Sequence, residues 1–265
     1  MVLDWLAVGL DPEKAVIFRQ SSVPEHAELH LLFSMIVPVP WLAGVPTYKE
    51  QQEQLSAKDL STYGFLGYPL LQAADILLYL ATEVPVGEDQ LPHVELTREV
   101  ARRFNQYYGD VFPEPKGKVV QAARVPGTDG RKMSKSYGNA VALTDDAKAV
   151  DEKLRRMVTD TRRARRTDAG DPKDCPAFRL HEIYCTAEER AELAEGCRSA
   201  SIGCADCKKV MIRHVQAELA PIQERRAALA ARKGLVEDVL EAGRGQAAAV
   251  AEATMATVRK EMGLK

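Results

Sequence analysis

A chain of 265 residues, of which 46% are hydrophobic and 28% charged, has the composition of an ordinary globular protein, and its length suits one large domain or two smaller ones. Its 36 basic and 38 acidic residues give a formal net charge of −2, which argues against a generic polyanion binder. The sequence has neither an apolar run of the roughly 20 residues that a membrane span needs nor a signal-peptide pattern. We therefore predict a cytoplasmic protein without a membrane segment.

Basic residues are concentrated in three short clusters that are candidates for nucleic-acid contact. These clusters lie at residues 102–103, 131–135 and 162–166. A charge run of this kind is more often only a solvated surface, so each cluster taken alone leaves both interpretations open.

The first 140 residues alternate between helical and extended patterns. In chain order, apolar spacing and the positions of proline and glycine predict a helix at 2–10, a strand at 16–18, a helix at 24–37, a loop at 38–46, a helix at 69–81, a strand at 84–86 and a helix at 89–104. The alternation favours an α/β layer built on a parallel sheet.

Beyond about residue 140 the extended patterns disappear. Segments rich in alanine, glutamate and arginine predict helices at 145–158, 177–195, 206–231 and 234–262. We therefore expect an α/β domain at 1–140 and an all-helical domain at 141–265.

The most specific motif is the pentapeptide Lys132-Met133-Ser134-Lys135-Ser136, which follows a Gly-Thr-Asp-Gly-Arg turn. Five specified residues arise by chance in a chain of this length about once in ten thousand, given about 5% usage per residue. Two mobile ammonium groups beside hydroxyl side chains suit a polyphosphate whose charge grows during displacement. The alternative is a solvated basic loop.

Polar residues share one face of the otherwise apolar helix predicted around residues 68–79. Tyr68, Gln72, Asp75 and Tyr79 follow one another at intervals of four, three and four residues. A carboxylate on such a helix is costly unless a donor reaches it, and the N–H of a ligand indole ring would serve. A hydrogen-bond network closed within the protein is the alternative.

The run Gly87-Glu88-Asp89-Gln90 lies between a predicted strand and the start of a helix. In doubly wound sheets this is where nucleotides bind, because free backbone N–H groups face the ligand there. Asp89 could equally be a plain helix cap.

The pentapeptide resembles the second signature of the class I aminoacyl-tRNA synthetases. Residues 68–79 and 87–90, continued by His93, the run 95–98 and Phe104-Asn105, are similar to the tryptophan branch of that family rather than to the tyrosine branch. On these motifs the chain is identified as the greater part of a bacterial-type tryptophan–tRNA ligase, with the resemblance extending over residues 2–265.

The resemblance implies a Rossmann-type parallel sheet followed by a helical anticodon-binding domain. It also implies L-tryptophan, ATP with Mg²⁺, and tRNA(Trp) as partners, and a homodimer. It assigns Tyr68, Gln72, Asp75 and Gln90 to tryptophan, with Asp75 at the indole nitrogen. It assigns Gly87, Glu88 and Asp89 to the ATP ribose, Val125 and Met133 to adenine, and Lys132, Ser134, Lys135 and Ser136 to the phosphates, the two lysines being catalytic.

The sequence departs from the family pattern at two places. Ala43 and Gly44 stand where a Glu-Arg pair is expected, just before Lys49, a weaker candidate for the ATP phosphates. The family's His-containing first signature does not precede Met1, and His26 and His30 lack the glycine turn that would replace it. We therefore expect weak or absent activity, and a non-catalytic tRNA- or metal-binding fragment or paralogue is the alternative; tyrosine activation is a second rival.

The cysteines predict a metal centre. Cys175, Cys197, Cys204 and Cys207 follow the spacing C-x21-C-x6-C-x2-C, which in a reducing compartment indicates metal binding over disulfides. Three clustered ligands and a distant fourth suit a [4Fe–4S] cluster better than Zn²⁺, although zinc and free thiols stay open. The pattern also resembles a cluster-carrying subset of tryptophan–tRNA ligases. Cys185 lies in an apolar run and is predicted to belong to the core.

Overall fold

The computed structural model describes residues 1–45, 62–119 and 125–264, and of Ser136 the backbone alone. Its contacts divide the chain into two compact units. The first combines Met1–Leu10 with Ala123–Leu235, and the second combines Asp11–Ala122 with Val236–Lys265. The predicted division into functional domains near residue 140 stays a prediction.

Twelve regular elements are present in the described part of the chain. They are α1 (Val2–Ala7), α2 (Glu25–Ser34), α3 (Val39–Ala43), α4 (Tyr63–Leu77), β1 (Glu83–Val86), α5 (Leu91–Tyr108), β2 (Lys116–Val119), α6 (Ala147–Arg155), α7 (Pro176–Tyr184), α8 (Ala187–Arg198), α9 (Cys204–Ala230) and α10 (Leu235–Glu261). Short 3-10 turns occupy Glu88–Gln90 and Lys135–Tyr137, among others.

The sheet of the described residues is a parallel pair joined through a helix. Strand β1 pairs with β2 in a register that sets Glu83 opposite Lys116 and Val86 opposite Val119, and α5 forms the crossover between them. The prediction of a strand at 84–86 is confirmed. Strand β2 escaped prediction because all four of its residues are exposed and it lacks the apolar pattern of a buried strand.

The strand predicted at 16–18 is wrong. Val16 is 49% exposed, and the backbone of Ile17 lies against a helix instead of a neighbouring strand. A Cβ atom on Gly243 of α10 would stand 2.0 Å from the Ile17 carbonyl oxygen, so the extended segment crosses the helix at its glycine. Of its apolar side chains, Ile17 is buried and Phe18 is half-buried, so the apolar pattern indicated partial burial correctly and sheet pairing wrongly.

Three predicted boundaries also change. The loop predicted at 38–46 contains the short helix α3, which begins with Pro40 in its first turn. The helix predicted at 69–81 begins earlier, where the Thr62 side chain accepts from the Phe65 N–H, and it carries Pro69 inside. It also ends earlier, at Leu77, and Leu80 beyond it has a positive φ of 51°. The single helix predicted at 177–195 is two helices, because a capping box between Thr186 and Glu189 starts α8 anew.

Each unit has its own apolar core. In the second unit, Phe33, Phe104 and Phe112 meet with ring centroids 4.9 to 6.1 Å apart in edge-to-face contacts. In the first unit, α6, α7 and α9 bury Leu154, Met157, Leu180, Met211 and Ile212. Burial of each large side chain contributes about 1.5–3 kcal/mol.

The long helices do not have the character of membrane spans. Although α9 and α10 each contain 27 residues, both carry charged side chains along their length. Among the residues that the structure describes, no helix combines the length and the hydropathy that crossing a bilayer requires.

The contact between α10 and the backbone of Ile17 predicts opposite effects of two neighbouring alanine substitutions. Gly243→Ala places a methyl group where the Ile17 carbonyl lies, and we expect it to lower the free energy of unfolding by about 1–3 kcal/mol. Gly245→Ala, on the same helix with no atom within 4 Å of its new Cβ, should raise it by up to about 1 kcal/mol. Urea unfolding of both variants measures this, and equal effects would contradict the contact.

Candidate functional site

Three of the four residues predicted to share a polar face lie on α4, and the fourth, Tyr79, lies in the turn that follows the helix. Tyr68, Gln72, Asp75 and Tyr79 are half-buried, whereas Leu70, Ala73, Ala74 and Leu77 of the same stretch are buried in the core. The tyrosine ring of Tyr68 lies 5.6 Å from the imidazole of His93 on α5. The apolar side of the helix therefore fixes its orientation, and four polar side chains are held at the edge of the core.

Asp75 is the centre of a hydrogen-bond network on this face. The Gln20 amide donates to both of its carboxylate oxygens, at 2.7 and 2.8 Å. His26 Nδ1 lies 2.7 Å from Oδ1, and the other ring nitrogen lies 2.8 Å from the Tyr79 hydroxyl. Gln20 and His26 lie about fifty residues before Asp75 in the sequence, and the fold brings them to its carboxylate.

The direction of these hydrogen bonds follows from the chemistry of an ionised carboxylate, which only accepts. His26 Nδ1 therefore donates to Asp75, and in the tautomer with its proton on Nδ1 the Nε2 atom accepts from the Tyr79 hydroxyl. Burial raises the pKa of Tyr79 to about 12, so this phenol keeps the proton that it donates. A carboxylate has about four acceptor positions, and three are filled. One position on Oδ2 of Asp75, whose side chain is 37% exposed, is left for a further donor.

Gly87, Glu88, Asp89 and Gln90 form the end of β1 and the turn that starts α5. Gly87, Glu88 and Asp89 are exposed and Gln90 is half-buried. The Gln90 amide donates to the Asp89 carboxylate at 3.0 Å, and a Cβ on Gly87 would stand 2.6 Å from that carboxylate. A side chain at position 87 would therefore displace the Asp89 carboxylate from this position.

The signature loop at 132–136 is fastened by Asn139, a residue that the sequence did not single out. Asn139 is 3% exposed; its amide donates to Asp129 Oδ1 at 2.7 Å and to the Lys132 carbonyl at 3.2 Å. Its own carbonyl oxygen accepts from the Ser134 N–H at 2.8 Å. The preceding turn is equally tight, because a Cβ on Gly127 would stand 2.2 Å from the Asn139 amide.

The lysines of this loop remain free to move. Lys132 and Lys135 are exposed, and neither forms an ion pair with a carboxylate among the described residues. The Met133 N–H donates to the Val125 carbonyl at 3.0 Å, so the two residues expected near adenine are neighbours. Lys49, the weaker phosphate candidate, lies outside the described residues.

The four cysteines of the predicted metal centre lie in one region of the first unit. Burial raises the pKa of Cys207 to about 12, and the sulfurs of Cys175, Cys197 and Cys204 add to this effect. Gly170 lies so close that a Cβ there would stand 2.7 Å from the Cys197 sulfur. Burial therefore opposes ionisation of the Cys197 and Cys207 thiols. Among the described residues, no three of the four sulfurs come within 4.8 Å of one another.

Cys185 belongs to the core as predicted, being 9% exposed, although it lies near other possible metal ligands. Its sulfur is within 4.8 Å of ligand atoms of Glu189 and His214. The Glu189 carboxylate is already occupied, because it pairs with His214 at 2.8 Å and Arg213 at 3.0 Å and accepts from the Thr186 N–H. These ion pairs explain the cluster without a metal.

Residues of two of the three predicted basic clusters contact other parts of the protein. Arg102 pairs with Glu95, Glu99 and Glu114, and the guanidinium of Arg103 stacks over Trp41 and Tyr107. Arg162 pairs with Asp160 and Asp174, while Arg163 is turned inward and only 9% exposed. Their roles in nucleic-acid contact stay predictions.

Comparison with known proteins places these motifs in a family. Residues 1–220 match the family model described as tRNA synthetases class I (W and Y). The tryptophan–tRNA ligase of Thermotoga maritima is 52% identical over 265 residues, which are 100% of this chain and 81% of that protein. The Aquifex aeolicus enzyme of the same name is 40% identical over 334 residues, covering 100% of this chain and 85% of that protein.

Solved structures give the same result. The tryptophanyl-tRNA synthetase from Campylobacter jejuni, complexed with ADP and tryptophan, superposes with a TM-score of 0.86 at 30% identity. The match covers 99% of this chain and 81% of that one. The predicted fold class, a Rossmann-type α/β sheet followed by helices, is thereby confirmed.

Removal of the Asn139 amide should loosen the signature loop in a way that depends on pH. In Asn139→Ala, the loss of three buried hydrogen bonds should lower the free energy of unfolding by about 1–3 kcal/mol at pH 7. The Asn139 amide is also the main cause of a lowered Asp129 pKa, so this part of the stability is present above the ordinary pKa of aspartate and lost as the pH falls through the lowered folded value.

The measurement is urea unfolding of both proteins between pH 7 and pH 3. The difference between wild type and Asn139→Ala should shrink towards the acidic end. A difference that stays constant over this range would show that Asn139 does not act through Asp129.

Proposed function

We propose that this chain, which belongs to the tryptophanyl-tRNA synthetase family of class I aminoacyl-tRNA synthetases, activates L-tryptophan with ATP and attaches it to tRNA(Trp). The observation that carries the proposal is Asp75 on α4, a carboxylate held by two donors with one acceptor position open to a ligand. The reaction is proposed from the comparison with the family, and the role of each residue is proposed from its contacts in this chain.

The Asp75 network suits recognition of an indole ring. The remaining acceptor position on Oδ2 can receive one N–H, which indole offers and a hydrocarbon ring does not. Gln20 and His26 fix the carboxylate in place beforehand, so little side-chain entropy is lost on binding. Tyr68 and Gln90 would contact the amino-acid head group, and Gln72 would line the pocket.

The signature loop suits the activation step. In this step a carboxylate oxygen of tryptophan attacks the α-phosphorus of ATP, and the bond to the leaving pyrophosphate breaks. Lys132 and Lys135 would stabilise the charge that accumulates on the leaving group, because they are exposed and unpaired within the described structure. Asn139 holds the loop backbone while the ammonium groups stay mobile.

The turn between β1 and α5 suits the remaining contacts with ATP. Gly87, Glu88 and Asp89 are exposed at the end of a parallel strand, where ribose hydroxyls would meet carboxylate acceptors. Val125 and Met133 would lie against adenine. Mg²⁺ would be bound mainly through the ATP phosphates, as is usual for this ion.

The helical residues 141–265 are proposed to bind the anticodon end of tRNA(Trp), and the functional protein is proposed to be a homodimer in the cytoplasm. These assignments rest on membership of the family. The basic cluster at 162–166 supports the first of them, since Arg165 and Arg166 are exposed.

The cysteine centre is proposed to hold a [4Fe–4S] cluster, with Zn²⁺ as the alternative. The donor set suits such a group in its chemistry, because all four residues are cysteines of the first unit and the buried Arg163 places a guanidinium nitrogen 3.9 Å from the Cys197 sulfur. The reaction with tryptophan and ATP has no use for electron transfer, so the group would stabilise the helical region around it.

The specificity proposal is tested by pyrophosphate exchange that depends on the amino acid. Wild-type protein should exchange with tryptophan and not with tyrosine. Asp75→Ala should raise the KM for tryptophan about 10- to 100-fold, the cost of losing a hydrogen bond to a charged group, while the KM for ATP stays unchanged. The matched control is Asp238→Ala, an exposed carboxylate on α10.

Two results would overturn this function. Exchange that requires tyrosine would reverse the specificity, and absence of exchange with retained tRNA binding would make the chain a non-catalytic binding protein. An equal loss in Asp238→Ala would show that the effect of Asp75→Ala is not local.

The metal proposal is tested by analysis of protein isolated without oxygen. We expect about four iron atoms and four acid-labile sulfides per chain and a brown colour, both lost in Cys204→Ser. Cys185→Ser serves as the control and should keep the iron, because Cys185 is not one of the four predicted ligands and its sulfur lies beside His181, Glu189 and His214. Colourless protein with one zinc ion per chain would refute the cluster.

A further inference from the structure

His26 is a buried histidine whose two ring nitrogens both contact polar groups of the Asp75 network. The residue is 4% exposed and lies in the first turn of α2. Its Nδ1 atom lies 2.7 Å from Oδ1 of Asp75, and its Nε2 atom lies 2.8 Å from the Tyr79 hydroxyl. The imidazole therefore bridges the carboxylate and a hydroxyl group, and its burial makes both contacts costly to lose.

Aromatic rings fix the orientation of this imidazole. The His26 ring stacks on Phe18 at a centroid distance of 5.9 Å and an interplanar angle of 28°, and it lies 5.4 Å from the Tyr79 ring. Phe18 and Tyr79 also meet edge to face at 5.7 Å, which closes a cluster of three rings. A turn of the imidazole about its Cβ–Cγ bond would break the stack and both hydrogen bonds, so Nδ1 stays directed at Asp75.

The hydrogen bond from His26 to Asp75 is the same in both protonation states of the imidazole. A carboxylate only accepts, so Nδ1 carries the donated proton in the neutral ring as well as in the imidazolium. The Tyr79 hydroxyl suits either state, because it can donate to a bare Nε2 atom and accept from a protonated one. The Oδ1 atom of Asp75 therefore keeps this donor whether or not the ring is charged.

The donors around Asp75 direct its remaining acceptor position to the ligand. Gln20 donates to both carboxylate oxygens and His26 to Oδ1, so the open position is on Oδ2. A ligand ring without an N–H displaces water from this position and returns no hydrogen bond, which costs affinity as long as the carboxylate cannot turn away.

We propose that His26, held by Phe18 and Tyr79, is the positioning residue that makes Asp75 select an indole N–H over a ring of the same shape without one. The inference rests on the proposed role of Asp75 in binding tryptophan and names the residue that gives this role its selectivity. Without the donor at Oδ1, the Asp75 carboxylate, which is 37% exposed, can rotate and direct its open acceptor positions to solvent. A ring without an N–H is then rejected less strongly.

Two amide side chains separate the two contacts of His26. The amide nitrogen of asparagine is as many bonds from Cα as Nδ1 of histidine, and that of glutamine is as many as Nε2. His26→Asn therefore keeps a donor for Asp75 and gives up the contact with Tyr79, whereas His26→Gln keeps the contact with Tyr79 and gives up the donor. Both variants lose the aromatic ring, so a packing role alone predicts equal effects.

A second histidine of α2 provides the matched control. His30 lies one turn after His26, and its Nε2 atom lies 3.2 Å from the Tyr63 hydroxyl, with the two rings 6.1 Å apart. Among the residues that the structure describes, the Asp75 carboxylate accepts from Gln20 and His26 and not from His30. His30→Asn therefore disturbs a similar histidine–tyrosine pair without removing a donor from Asp75.

The probes are L-tryptophan and its benzothiophene analogue, in which a sulfur atom replaces the ring N–H. Isothermal titration calorimetry of the full chain gives the Kd of each, and the ratio of the two is the readout. Wild-type protein should bind tryptophan about 10- to 100-fold more tightly, as expected for one hydrogen bond to a charged group. In His26→Gln this ratio should fall about tenfold, and in His26→Asn and His30→Asn it should stay within about threefold of wild type.

The inference and the proposed function fail in different ways. Equal ratios in His26→Gln and His26→Asn, or a wild-type ratio in His26→Gln, would overturn the inference and leave His26 a packing role. Wild-type protein that binds the two ligands equally would overturn the role of Asp75 as well, and wild-type protein that binds neither would overturn the proposed function. If His26→Gln does not fold, His26→Phe keeps a ring without the donor and takes its place, with the same expected fall.

Discussion

Compensation of the Asp75 carboxylate by hydrogen-bond donors is the constraint on which the candidate site at α4 depends. On α4, the carboxylate of Asp75 stands at the edge of an apolar core, and it is tolerable there because Gln20 and His26 donate to it. The need to compensate this carboxylate constrains more than one side chain. It ties the segment before α2, the first turn of α2 and the last turn of α4 into one arrangement, which the apolar faces of the same helices then hold in the core.

The sequence was a good guide wherever the signal is local. The polar residues of α4 lie on one face because helical periodicity alone determines that, and β1 and α5 are recognisable from a short apolar run and a proline in a first helical turn. The exposed strand β2 and the extended segment at Ile17 were missed or misread because their conformation is set by a distant partner, the strand β1 in one case and Gly243 of α10 in the other.

The difference between local and distant sequence signals also applies to the site residues. Asp75 and the lysines of the signature loop stand in recognisable motifs, whereas the residues that hold them do not. His26 contacts Asp75 from 49 positions away in the sequence. Asn139 holds the loop with its side-chain amide, but its sequence position looks like that of an asparagine in any other turn. Such supporting contacts have no fixed spacing, so only the folded arrangement reveals them. They are also the contacts that convert a motif into a preorganised site, because they remove the freedom of the group that meets the ligand.

Asp75 and the cysteines pose different electrostatic problems. The half-buried carboxylate of Asp75 is satisfied by donors from Gln20 and His26, and the arrangement leaves one acceptor position that a neutral N–H can fill without changing the charge of the site. Among the cysteines, burial raises the pKa of Cys197 and Cys207, so ionisation of these two thiols is disfavoured unless a cation lies beside them. The first site therefore has its charge compensated by groups of the protein alone, whereas a thiolate at the second needs a cation to compensate it.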